Sequence, residues 1–125
     1  MSLFHPQAEE FYQQAKGATG QGTVLTLISM MDTSAQQAKT EVGESPGLQQ
    51  LHNQFHAFRK SLCDFSDQQT ATTAYEQVVT LNKELKTVLH RLWKFQNDTS
   101  LRTVHLDLLL TRIQELRATL QAIPN

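Results

Sequence analysis

The chain has 125 residues, 39% of them hydrophobic and 18% charged, which is enough to bury a core without metal or disulfide support and reads as a single domain over 1–125. The formal net charge of -1 lacks the electrostatic footprint of a nucleic-acid binder, and no stretch approaches the roughly 20 apolar residues of a membrane span. Cys63 is the one cysteine and forms no internal disulfide, and "MSLFHPQAEE" has neither the basic nor the apolar segment of a secretory signal, so a reducing cytoplasm is the expected compartment.

Pro6 suits a first helical position, and Ala8, Phe11, Ala15 and Ala18 follow at helical spacing, which predicts a short helix from about 6 to 17. The glycines of "GATGQGT" then break the helix. Without the Gly-Lys-Ser/Thr ending of a P-loop and with no strand before it, the segment reads as a hinge and not as a phosphate-binding loop.

From Thr23, the residues Val24, Ile28, Met31, Ala35, Ala38 and Val42 recur at spacings of four and three, predicting a second helix with one buried face that "GESPG" terminates. Leu48, Leu51, Phe55, Phe58, Leu62 and Phe65 form the seam of a third helix, and "SDQQTAT" supplies a polar turn. Val78, Leu81, Leu85, Val88, Leu92 and Phe95 predict a fourth. Its basic strip of Lys83, Lys86, His90, Arg91 and Lys94 reads as a solvated face, with phosphates or an acidic protein surface as the other reading.

"QNDTS" offers N-cap residues in Asp98, Thr99 or Ser100, and Leu106, Leu109, Ile113, Leu116, Leu120 and Ile123 line a fifth helix. Leu101, Val104, Leu108 and Leu110 are expected to broaden its apolar face. Four long helices with short connections predict an all-α antiparallel four-helix bundle, with the short extra N-terminal helix covering one end.

No hydrolytic constellation is present: Cys63 has no supporting context and no serine sits in a nucleophile elbow. His52 and His56, four residues apart, lack both further ligands and the glutamate of a metalloprotease helix, so no metal and no cofactor is expected. The stretch "QFHAFRKSLCDFS" sets His56 beside Arg59 and Lys60 at the edge of the Phe55 and Phe58 seam, one turn from His52. A neutral imidazole is a competent nucleophile, and adjacent cations would stabilise a phosphoryl anion on it. A boundary histidine with two solubilising cations fits the same spacing.

"HAFRKSLCDFS" resembles the phosphoacceptor helix of histidine-containing phosphotransfer domains, in which a large apolar residue follows the histidine by two positions and a basic residue by three. His56, Phe58 and Arg59 match, Ser61 falls where small residues are common, and Phe65 matches an apolar position before the family's turn glycine. The likeness is to small stand-alone bacterial phosphorelay proteins. The chain departs at Lys60, where the family usually has glycine or serine, and at Ser66, where it usually has the later glycine.

The resemblance implies a cytoplasmic shuttle with no turnover of its own, in which His56 accepts a phosphoryl group and Arg59 stabilises it, while His52, Lys60 and Cys63 contact partners. Those partners would be response-regulator receiver domains or a hybrid sensor kinase. The alternative is a degenerate or unrelated helical-bundle adaptor that binds protein partners without carrying phosphate.

Overall fold

A computed structural model describes residues 6–66 and 73–123, and these described residues form five helices. These are α1 (Pro6–Ala15), α2 (Gly20–Thr40), α3 (Pro46–Ser66), α4 (Thr73–Lys94) and α5 (Thr99–Gln121). Among the described residues there is no strand, and no helix is long and apolar enough to cross a membrane. The predicted "SDQQTAT" turn lies, apart from the backbone of Ser66, outside the described residues.

Apolar spacing explains most of the packing. The predicted α3 seam and the α5 line of Leu106, Leu109, Ile113, Leu116, Leu120 and Ile123 are buried throughout, and α2 buries Val24, Ile28, Met31, Ala35 and Ala38 with Leu27 between them. One continuous core results, built where α2 lies against α3 and α5, and α4 against α5. Helix α1 runs beside α3: Asn53 Nδ2 donates to Gln7 Oε1 at 2.7 Å, and Tyr12 Oη donates to Asp64 Oδ2 at 2.8 Å. That bond to Asp64 holds the Tyr12 phenol above its ordinary pKa, helped by burial and by the charges of Asp64 and Glu9.

Several boundaries and faces differ from the sequence reading. Helix α2 begins at Gly20, three residues earlier than expected, because Thr19 Oγ1 accepts from Gly22 N at 2.9 Å and caps a first turn that glycine propensity alone disfavours. The predicted hinge therefore shrinks to residues 16–19, and Ala18 is exposed outside α1. Val42 falls beyond the α2 C-cap and is 81% exposed. Leu81 and Val88 are only half-buried, Leu89 fills the α4 core position, and Phe95 sits in the turn after the helix.

In α5, Asp98 is the N-cap, its side chain accepting from Leu101 N at 3.0 Å. Leu110 joins the core, but Leu101, Val104 and Leu108 are exposed, because helical periodicity carries them to the side opposite Leu106, Ile113 and Leu120. The broadened face is narrower than expected. The buried place in the first turn belongs to Arg102 instead.

Polar ties close the ends of the helices. Gln21 Nε2 donates to Leu120 O at 2.6 Å and Ile123 O at 2.8 Å, tying the first turn of α2 to the C-terminal end of α5. In the α2–α3 connection Gly43 has φ 79°, a left-handed conformation that glycine adopts without strain. At Gly47 a Cβ would come within 2.9 Å of Ala38 N and Ser34 O, so the close approach of α3 to α2 requires glycine there.

Glu41 organises the same corner. Its Oε1 accepts from Ser45 Oγ at 2.6 Å and from Gly47 N at 3.0 Å, at the start of α3. The Ser45 bond is the main cause of a carboxyl pKa below the ordinary range; burial opposes it, while Gln37, Gly47 N and the Arg102 charge add to the lowering. Because the folded value is the lower one, this contribution is full above the unfolded carboxylate pKa and is lost as pH falls through the depressed folded value. Glu41→Gln is therefore expected to lose less stability than the parent on acidification through that window. Urea midpoints measured across acid pH check this, and parallel profiles would contradict it.

Candidate functional site

The α3 seam determines where its polar neighbours project. With Phe55 and Phe58 buried, His52 and His56 stand half-buried at the seam's edge and Arg59 is exposed. Helix α4 brings a matching row, since Lys86, His90 and Trp93 recur at spacings of four and three on one face. Between the two rows lies a groove of about 220 Å³, lined by His52, His56 and Arg59 from α3 and Lys86, His90 and Trp93 from α4. Phe55 and Leu89 form its apolar floor.

Three imidazoles and two cations thus share one opening, and no carboxylate lines it among the described residues. The His52 ring stacks on Trp93 at 4.7 Å and 30°, and meets the His56 ring edge-on at 4.8 Å and 77°. His56 is held further by the Phe55 ring, 6.5 Å away. These contacts orient both imidazoles on a regular helix while one side of the groove stays open to solvent. In such surroundings an anion on an imidazole is favoured by charge from both helices.

The five residues singled out from sequence do not all meet. His52, His56 and Arg59 come together. Lys60 turns toward α1, its Nζ 4.3 Å from the centre of the Tyr12 ring and 4.0 Å from Glu9 Oε2. Position 60 is four residues from His56, but the Tyr12 ring and the Glu9 carboxylate draw the long side chain to the α1 flank. Cys63 is exposed and lies outside the groove lining. The Ser66 side chain lies outside the described residues.

From the basic strip of α4, Lys86 and His90 enter the groove, whereas Lys83, Arg91 and Lys94 are exposed outside its lining. Trp93 was not legible as a site residue. Its spacing of three from His90 was the available signal, but which α3 residue it would meet depends on how the two helices pack.

A larger hollow of about 450 Å³ opens where α1, α2 and α3 meet, beside Tyr12, Lys16, Gly17 and Ser61. Its hydroxyls are already engaged in the fold: Tyr12 with Asp64, Thr23 with Thr19 O and Gly17 N, and Ser61 with Phe58 O. The hollow pairs one cation, Lys16, with the Asp64 carboxylate, whereas the smaller groove gathers three imidazoles and two cations with no carboxylate among its described lining residues. Compared with family models, with curated proteins and with solved structures, the chain matches none.

Proposed function

We propose that this chain is a histidine phosphotransfer protein, in which α2 to α5 form an antiparallel four-helix bundle and His56 relays a phosphoryl group between receiver-domain aspartates. The supporting observation is the groove itself. A half-buried imidazole stands in an opening that has Arg59 on one helix and Lys86 on the other, and no carboxylate among the described lining residues.

The chemistry is a phosphoryl transfer with the nucleophile on this chain. A ring nitrogen of neutral His56 gives its lone pair to phosphorus as the P–O bond of the partner's aspartyl phosphate breaks. The bonding pair leaves with the partner's carboxylate, and the second ring nitrogen keeps its proton. Arg59 and Lys86 offset the negative charge spread over the phosphoryl oxygens, and no nucleotide is needed because the acyl phosphate supplies the driving force. Passage to a second receiver is the reverse reaction on another aspartate. Lys60, a departure from the family pattern, does not crowd this approach, because its ammonium rests against Tyr12 on the α1 flank.

Incubation with phosphorylated receiver domains tests the reading through the rate at which label reaches this chain. Arg59→Ala is expected to slow transfer by roughly ten- to a hundred-fold with little loss of stability, since an exposed guanidinium makes its best interaction only with the arriving phosphoryl group. Lysine should restore part of the rate. Equal rates for parent and alanine proteins would remove Arg59 from the mechanism.

A further inference from the structure

His52 is clamped between the Trp93 ring and the edge of His56, at 4.7 Å and 4.8 Å. Its Nδ1 is buried and has no hydrogen-bond partner among the described residues. An N–H sealed from every acceptor forfeits the bond that water would give it, whereas a lone pair in the same position is better tolerated. The proton of neutral His52 therefore sits on Nε2, the nitrogen that is not buried. A ring fixed by stacking and restricted to one tautomer is a hydrogen-bond donor whose position is set before any ligand arrives.

Arg59 and Lys86 line the same groove from the two helices, with His90 beside them. A guanidinium fork, an ammonium and a fixed imidazole N–H, with no carboxylate lining the opening among the described residues, match the oxygens of a tetrahedral dianion. We infer that the groove between α3 and α4 is a non-covalent oxyanion site, with His52 Nε2–H, Arg59 and Lys86 as its donors and a phosphate or phosphoryl group as its ligand. The site rests on groove geometry alone and stands whether or not His56 is phosphorylated.

Sulfate is the probe, because it stays doubly charged through the pH range in which imidazoles titrate. Nitrogen-15 spectra of the full chain at neutral to mildly alkaline pH are expected to show His52 as the Nε2–H tautomer. Added sulfate should move the His52 and Arg59 side-chain signals saturably. His52→Phe keeps a ring to stack on Trp93 but lacks the donor, and should weaken sulfate binding by about tenfold or more. His52→Gln returns an N–H donor and should recover most of the affinity.

The same chemistry reaches the groove as a free anion or on a protein. Inorganic phosphate displacing sulfate identifies the first source, and displacement only by a phosphorylated receiver identifies the second. An Nδ1–H tautomer, non-saturable shifts, or a phenylalanine variant that binds sulfate like the parent would overturn the inference. Should the phenylalanine variant fail to fold, the tautomer measurement and the glutamine variant still decide it. Failure of label transfer to His56 would leave the sulfate result intact, so the two readings fail separately.

Discussion

Arg102→Ala is expected to lower the unfolding free energy by about 3 kcal/mol or more, although arginine in a first helical turn ordinarily reads as a solvated residue. Arg102 is only 3% exposed. Its Nη1 donates to Gly43 O at 2.7 Å and Gln96 O at 3.1 Å, and its Nη2 donates to Glu41 O. One guanidinium therefore ties the α2–α3 connection to the α4–α5 turn. Alanine leaves these carbonyls without their donors, opens a void and removes a positive charge near the Glu41 carboxylate. Arg102→Met refills much of the volume without the donors and should still be strongly destabilised, whereas lysine can satisfy only part of the set. Urea unfolding midpoints measure the effect, and an alanine variant within about 1 kcal/mol of the parent would show that the ties do not persist in solution.

Phe58→Ala should cost about 3 to 5 kcal/mol, the usual range for removing a fully buried aromatic ring. Phe58 has 0% exposure and stacks on Phe55 at 6.2 Å and 28°, so truncation leaves a void beneath the strip that carries His56 and Arg59. Phe58→Leu keeps part of that volume and should cost much less. The comparison also tests the rotation of α3 about its axis. If Phe58→Ala melts like the parent, that face is not interior, and His56 two residues earlier does not stand where the groove requires it.

The α3 face was readable because its apolar residues keep a strict alternation of three and four and no other element competes for them. Its rotation followed, and with it the grouping of His52, His56 and Arg59. Lys86 and His90 were visible as basic residues on one helix, yet nothing local to α4 says that they meet α3 across a groove. Their role rests on packing between segments some thirty residues apart in sequence.

Arg102 escaped for a related reason. Its burial depends on Glu41 and Gly43, which lie 61 and 59 residues away and become acceptors only when the two connections come together. Leu101, Val104 and Leu108 illustrate the converse, because their apolar composition suggests a broad face although their angular positions lie away from the core. Lys60 was legible as a neighbour of His56, but Tyr12, which draws it aside, sits on α1, whose Ala8 and Ala15 spacing marks a buried face without saying that it packs on α3.

The proposed role of His56 as phosphoryl carrier is tested most directly by the chemistry and position of phosphate on this chain after exposure to phosphorylated receivers. Acid-labile, alkali-stable label is expected on the parent protein and none on a folded His56→Ala variant, whose helical content and melting temperature should be nearly unchanged because a half-buried imidazole adds little to the core. Label that persists on the alanine variant, or a parent protein that docks receivers without ever acquiring phosphate, would contradict it.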